Sequence, residues 1–314
     1  MKSAVPILNI TQKKEKPMHV DNLIIDGTNI EFRIFYIARS MKTVNDAGDQ
    51  TSCIYRFLQT FNKLIEKFNP TDVYATWDKK LEWPSTNFRK EIMIDQYKAG
   101  RTKPADIQEM YDQEINLIEI LESLGVKSLY PKVLEADDVC AYLAKTLKGT
   151  SVVVSADQDL LQLVSPTCSV YNLKELITWE NFEVKKGMKS AEFVLYKAIK
   201  GDTSDNIQGL DGHGEVRSKK LAANWDSANL TEEYLQIIER NLRLIDLRYG
   251  YNHQPGEKQS YEEQLNYVKD IKGDIDKFIK LCRKYNFTSF VDNANQWKRL
   301  INRNNIVNVI NQIS

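Results

Sequence analysis

At 314 residues, with 42% apolar and 27% charged side chains, the chain has the composition of one large or two ordinary globular domains. No apolar run approaches the ~18 residues of a membrane-spanning helix, and Lys plus Arg balance Asp plus Glu at 43 each. Cys53, Cys140, Cys168 and Cys282 form no metal or redox spacing and read as reduced thiols of a cytoplasmic protein.

Residues 1–20 read as a flexible polar tail. Its apolar stretch AVPILNI is short, holds Pro6 and Asn9, and runs into KKEK, which is not a signal-peptide pattern. HVDNLIIDGTN then predicts a strand closing on a tight turn at Asp26-Gly27. IYRFLQTFNKLIEKF has helical spacing, and PTDVYATWD predicts a second strand ending in Asp78. The third, SVVVSADQD, ends in Asp157 and Asp159. Short strands alternating with helices predict an α/β core over 21–180: a central, mostly parallel sheet with helices on both faces. Ligands of such sheets sit beyond the carboxyl ends of the strands, where these acids lie.

After Asp78 comes KKLEWPSTNFRKEIMIDQYKAGRTKP, within an insertion of about 79–111 too long for an ordinary connection. It carries Lys79, Lys80, Arg89, Lys90, Lys98, Arg101 and Lys103 against Glu82, Glu91 and Asp95, with Trp83, Phe88 and Tyr97 interleaved. From 181 to 314 helical patterns dominate.

KVLEADDVCAYLAK places Glu135, Asp137 and Asp138 at the start of a helical pattern, and KGDTSDN adds Asp202 and Asp205. Residues three apart on a helix share a face, as Glu135 and Asp138 would. With Asp26, Asp78, Asp157 and Asp159 these make nine acids expected at one rim. A lone Asp after a strand is most often an N-cap. Asp157-x-Asp159 also suggests an EF-hand, but Gln162 stands where its loop needs Gly. Nine together are tolerable only around cations. Oxygen ligands without His or Cys favour Mg²⁺ or Mn²⁺, and two such ions ~3.5–4 Å apart suit in-line phosphodiester hydrolysis. Setting the nine aside leaves 34 acids against 43 basic residues, so a basic surface surrounds an acidic pit.

Downstream, DNIQGLDGHGEVRSKKLAANW sets Gly209, Gly212 and Gly214 in a tight turn between two helices, with Arg217, Lys219 and Lys220 at the start of the second. Exposed N–H groups there suit phosphate, and a plain helical hairpin is the structural alternative. His19, His213 and His253 are isolated and are assigned no catalysis.

DGTNIEFR, TWD ahead of a basic segment, EADD, SADQD and KGDTSDNIQGLDGHG, in that order over about 21–225, resemble the flap endonuclease / 5′→3′ exonuclease family, most closely its stand-alone bacteriophage members. No polymerase segment is expected to follow. The resemblance implies a structure-specific 5′-nuclease using two Mg²⁺, with Mn²⁺ able to substitute. One metal group would be Asp26, Asp78, Glu135, Asp137 and Asp138; the other would be Asp157, Asp159, Asp202 and Asp205. The basic insertion would be a helical arch through or beneath which a single-stranded 5′ end passes. Tyr97, Lys98 and Arg101 would meet the scissile phosphate, with Arg33 on the first helix and Arg89 among the DNA contacts. The glycine turn, about 191–225, would be a helix-hairpin-helix-like element gripping duplex, with a K⁺ ion. It departs from the family in holding His213 and Val216 where an apolar residue and a Lys are usual, so Arg217 or Lys219 would take over the phosphate contact. The implied substrates are DNA with a 5′ flap or nick and the RNA of an RNA–DNA hybrid, as in primer removal. The implied setting is replication or repair by a monomer, alongside replication proteins, in the cytoplasm of a bacterial or phage-infected cell. A non-catalytic nucleic-acid-binding protein of the same fold would have lost carboxylates, and none is missing. A phosphatase of small molecules leaves the arch and glycine turn unexplained.

Overall fold

A computed structural model describes residues 17–41, 43–78, 88–94, 96–100, 102, 104–298 and 301, the side chain of Ser227 excepted. Five strands run parallel or near one another in chain order: β1 (Asn22–Asp26), β2 (Asp72–Thr76), β3 (Lys127–Leu129), β4 (Ser151–Val154) and β5 (Cys168–Tyr171). With the short β6 (Leu176–Ile177) they form a sheet ordered β3-β2-β1-β4-β5-β6, parallel except for the β5–β6 pair. The first strand is central, and the chain crosses to one side of it and then the other. That reversal opens a crevice at the carboxyl ends, where ligands of open α/β sheets bind.

The strands are buried on both faces, and their alternate residues feed two separate cores. Leu23, Ile25, Val73, Ala75, Val152 and Val154 join the core under α1 (Gly27–Ala38), α2 (Ser52–Phe68) and α4 (Ile107–Ser123). Ile24, Tyr74, Val153 and Val170 join the core under α5 (Ala136–Thr146), α6 (Trp179–Lys186) and α7 (Phe193–Lys200). A single short helix of the insertion, α3 (Phe88–Met93), is described between β2 and α4. Helix α2 shows why such helices form. Cys53, Ile54, Phe57, Leu58, Phe61, Leu64, Ile65 and Phe68 recur at three- and four-residue steps and are all buried, and the helix stops at Asn69 in the left-handed region.

The expected α/β class, with its mostly parallel sheet and helices on both faces, is borne out. Past residue 180 come α8 (Glu215–Ala223), α9 (Glu232–Ile245), α10 (Leu247–His253), α11 (Glu257–Val268), α12 (Ile275–Lys284) and α13 (Thr288–Asp292). These helices are not stacked apart from the sheet. Leu247, Tyr251 and Tyr261 lie in one core, while Phe278, Leu281 and Cys282 lie in the other.

Candidate active site

Two of the acids are set by one packing contact. Gly27 follows Asp26 and Trp77 precedes Asp78. A Cβ on Gly27 would meet the Trp77 ring at 2.7 Å, so only glycine lets β1 and β2 deliver their acids side by side. Asp26 caps α1, accepting from the Asn29 N–H at 3.2 Å, and also accepts from Ser155 Oγ at 2.7 Å. Asp78 accepts from the Ala136 N–H at 2.7 Å, while its own N–H donates to Thr28 Oγ1 at 2.7 Å. Burial pushes Asp26 up to about 7, with Asp78 and Asp157 adding to the rise. Asp78 keeps an edge open to solvent, yet lost solvation and Glu135 push it up to about 6.

The third strand-end contribution comes from the start of α5. Glu257, fully buried on α11, accepts the N–H groups of Lys132, Val133 and Leu134 at 3.0, 2.6 and 3.2 Å and so fixes the turn leading into the helix. Glu135 and Asp138 then form a capping box. The carboxylate oxygens of Glu135, Asp137 and Asp138 come within 4.8 Å of one another. Asp137 Oδ1 is buried with no hydrogen-bond partner among the described residues, and burial followed by Asp138 and Glu135 raises its carboxyl well above the usual range. A buried, unpartnered carboxylate oxygen among other hard oxygen donors fits a divalent cation.

The cations already here come from the insertion. Arg89 is 1% exposed and donates Nη1 and Nη2 to the two oxygens of Asp138, each at 2.7 Å, and Nε to the Leu244 carbonyl at 3.0 Å. Gly250 on α10 closes over this pair, since a Cβ there would strike Asp138 Oδ1 at 2.5 Å. Expected among the DNA contacts, Arg89 is instead an interior residue here, because a fully buried Asp138 needs a fork-shaped donor. Lys98 Nζ donates to Glu135 Oε1. Burial alone would raise Glu135, but Lys98 and Arg89 outweigh it and hold that carboxyl below the usual range.

Tyr97 joins the two carboxylate groups. Its hydroxyl lies 2.9 Å from Glu135 Oε2 and 3.2 Å from Asp205 Oδ2, and its ring is 9% exposed. The ring therefore offers no open face for stacking on a base in this structure. Nor do residues 97–100 continue a helix: they form a turn, with Ile94 and Lys98 at positive φ. Arg101 falls outside the described residues, and so do the insertion's residues 79–87. Arg33 stands two turns beyond Asp26 on α1, half-buried.

The second group is neutralised from within the body of the protein. Asp157 accepts from the Asp159 N–H at 2.8 Å. Lys197 on α7 lies 2.7 Å from Asp159 and donates to Asp202, which also accepts from the Ser204 N–H and Oγ at 2.8 and 2.6 Å. Burial, then Asp157 and Asp202 against Lys197, leaves Asp159 raised to about 6. In Asp202 the donors overcome burial and lower the carboxyl. Among the described residues Glu135, Asp137 and Asp138 form one close cluster, and hydrogen bonds, Lys197 and neighbouring charge link the other six predicted acids to it or to one another. Sequence reasoning missed Lys197, Ser155 and Glu257, none of which stands in a spacing that would single it out.

The glycine turn lies beside this rim. The chain leaves α7, pairs β7 (Gly201–Asp202) with β8 (Ile207–Gln208), and turns into α8. A Cβ on Gly209 would lie 2.2 Å from the Lys200 carbonyl, and Gly212 has φ 73°. Gly214 stands at the N-cap of α8 with open space around it. Arg217 donates to the Gly212 carbonyl at 3.0 Å, Lys219 pairs with Glu215 at 2.8 Å, and Lys220 is exposed. Val216 is 80% exposed, and His213 bonds the Asp211 carbonyl at 2.9 Å.

Residues 21–190 match the family described as 5′-3′ exonuclease, N-terminal resolvase-like domain. The thermostable DNA polymerase I of Thermus thermophilus is 33% identical over 227 residues, 70% of this chain but 26% of that protein. The chain therefore spans about a quarter of the length of such polymerase relatives. The 5′-3′ exonuclease of Bacillus subtilis is 30% identical over 228 residues, 69% of this chain and 75% of that one. Among solved structures, the flap endonuclease of bacteriophage T5, a pseudo-enzyme–product complex with DNA and metal ions, matches with TM-score 0.63 at 19% identity. That match covers 80% of this chain and 100% of the other. At that identity the likeness is one of fold.

Proposed function

The chain belongs to the 5′-3′ exonuclease family, and we propose that it is a structure-specific 5′-nuclease hydrolysing phosphodiester bonds of DNA at 5′ flaps, nicks and ends. The observation that carries this reading is the pair of carboxylate groups abutting at one sheet rim and joined by Tyr97. Asp26, Asp78, Glu135, Asp137 and Asp138 would hold one divalent ion, and Asp157, Asp159, Asp202 and Asp205 the other, Mg²⁺ or Mn²⁺ by donor type. Bound ions would supply an activated water and offset charge at the phosphoryl oxygens.

The protein's own residues do the rest. Lys98, which donates to Glu135, would turn its ammonium toward a phosphate oxygen as negative charge builds there. Arg33, two turns beyond Asp26 on α1, would orient the strand. Arg217, Lys219, Lys220 and the N–H groups of the glycine turn, with K⁺, would hold duplex backbone without reading sequence. Hydrolysis breaks one P–O bond, water adding its oxygen to phosphorus and the leaving oxygen taking up a proton. RNA–DNA hybrids, replication proteins as partners, a monomeric state and a cytoplasmic setting belong to the same reading. Among the described residues no helix is long and apolar enough to cross a membrane.

The test uses 5′-labelled flap, nicked duplex and RNA–DNA hybrid, each with Mg²⁺ and with EDTA. Mg²⁺-dependent release of 5′ products, strongest on a flap or nick, is expected. Binding without cleavage in either Mg²⁺ or Mn²⁺ would overturn the catalytic reading in favour of a binding protein.

A further inference from the structure

We propose that the cleft between the end of α1 and the foot of the basic insertion is a stacking subsite for one unpaired nucleotide of the 5′ strand, an inference that rests on the nuclease reading above. The cleft has a volume of about 510 Å³ and is lined by Tyr36, Arg39, Thr102, Pro104, Ala105 and Asp106. That is within the ~300–1,000 Å³ of ligand pockets. Tyr36 is 51% exposed, one of three described large rings open to solvent with Trp179 and Tyr267. The Arg39 guanidinium lies 5.6 Å from the centre of that ring. Arg39 Nε also lies 3.7 Å from Asp106 Oδ2. Asp106 stands at the N-cap position of α4, yet its side chain makes no capping bond and faces Arg39 instead.

The charges decide the ligand class. A phosphate on Arg39 would also meet the Asp106 carboxylate, so the cleft is poorly suited to an anion. It suits a neutral planar group that presents donors and acceptors together with an open π-face. A nucleobase is such a group: Tyr36 offers a ring to stack on, Asp106 accepts from an exocyclic amine, and Arg39 donates to a ring nitrogen or carbonyl. Bases inside a duplex are paired at that edge and stacked on both faces, so only an unpaired nucleotide can enter. The distance is suitable. Tyr36 lies ten residues beyond Asp26 along one helix, or ~15 Å at the rise of an α-helix. Thr102, Pro104, Ala105 and Asp106 belong to the basic insertion, so the cleft adjoins the segment that the nuclease reading assigns to a single 5′ strand.

The experiment scans 2-aminopurine, which carries an exocyclic amine, along the 5′ unpaired strand of a flap substrate bound in Ca²⁺. One position is expected to be quenched on binding. Tyr36→Ala should abolish that quench and weaken flap binding about tenfold, within the range for losing one stacked base. Tyr36→Phe should retain both, and circular-dichroism melting checks that each variant folds. Thymine at the responding position, which lacks the amine, should bind more weakly than adenine. A nicked duplex without an unpaired strand should bind wild type and Tyr36→Ala alike. If no position responds, or Tyr36→Ala weakens flap and nicked duplex equally, the subsite is overturned. Failure of wild type to cleave any substrate would instead count against the nuclease reading, whereas cleavage with an indifferent Tyr36→Ala removes only the subsite.

Discussion

The two carboxylate groups are balanced by cations of different origin. The first draws on the insertion after β2: Arg89 clasps Asp138 and Lys98 holds Glu135. The second draws on helix α7, where Lys197 sits between Asp159 and Asp202, with Ser204 completing the set. One group thus depends on a segment proposed to accommodate a strand of DNA, and the other chiefly on a helix packed into the core. In the first, electrostatics tie the order of the insertion to the order of the proposed metal ligands. In the second, Asp159 and Asp202 are held by Lys197 from the core, and only Asp205 is tied to the insertion, through Tyr97 and the Lys98 N–H.

Asp137→Asn should have the largest effect. Its buried carboxylate oxygen lacks a partner among the described residues, so the amide leaves the fold intact but removes an anion a cation needs. Cleavage should fall below detection while binding in Ca²⁺ and melting temperature stay near wild type. Asp138→Asn should also lose cleavage, but with lower stability, because Asp138 is Arg89's partner. Wild-type-like turnover in either variant would remove the metal assignment from the first group.

Stability separates the groups next. Arg89→Leu leaves Asp138, 0% exposed, without its fork, and breaking such a buried pair costs about 3–5 kcal/mol. Lys197→Leu should cost less, about 1–3 kcal/mol, since Asp159 and Asp202 keep side-chain exposures of 16% and 12% and Asp202 keeps Ser204. Urea titration of both variants measures the difference, and equal losses would mean the origin of the cation is immaterial.

What the sequence shows of these sites follows from locality. The nine acids stand at strand ends and helix starts, where a short stretch announces its position. Gly250, Glu257 and Leu244 support the first group from more than a hundred residues away, and no local pattern links them to Asp138 or to the turn at 132–134. Arg89 looks like surface charge because a basic segment usually is one. Its burial depends on a carboxylate 49 positions later. The helical arch expected of the insertion does not run through Lys98 for a different reason: positive φ at Ile94 and Lys98 takes residues 97–100 into a turn. The sheet was legible because its strands are buried on both faces and so read as short continuous apolar runs, a signal that requires no distant information.

The pH dependence of metal-free stability sharpens the comparison. Asp26 and Asp78 rise to about 7 and about 6 when folded, from about 4 when unfolded. The folded state thus binds more protons than the unfolded state between about pH 4 and 7, and stability falls as pH rises through that window. In the second group the rise of Asp159 to about 6 acts over a narrower part of that window, and the lowered Asp202 acts below it, so the slope is smaller. In EDTA, Asp26→Asn should flatten the loss by on the order of 2 kcal/mol, whereas Asp202→Asn, whose lowered carboxyl titrates below that window, should leave the slope over pH 4–8 nearly unchanged. Melting temperatures across pH 4–8 measure this. No change in slope with Asp26→Asn would show that its carboxyl is not held protonated by the fold.

The smallest effect tests what the insertion's cations do during turnover. Lys98 is 21% exposed at its side chain, has a strained φ of 58°, and reaches the rim through Glu135. Its backbone N–H also bonds the Asp205 carbonyl at 3.2 Å, so the residue is anchored to both groups while its ammonium belongs to the first. An ammonium so placed can stabilise charge on a phosphate that it does not need for binding. Alternatively it neutralises Glu135 and steers DNA from a distance. Single-turnover kinetics at saturating enzyme separate these roles. Lys98→Ala should slow the chemical step about tenfold, a loss of ~1.4 kcal/mol in the transition state, with little change in affinity. Lys197→Ala, whose partners belong to the second group, should not reproduce that pattern through Glu135. If Lys98→Ala raises the dissociation constant and leaves the saturated rate untouched, the insertion's lysine is a steering charge. The two groups would then differ in where their cations originate but not in what those cations contribute to the reaction.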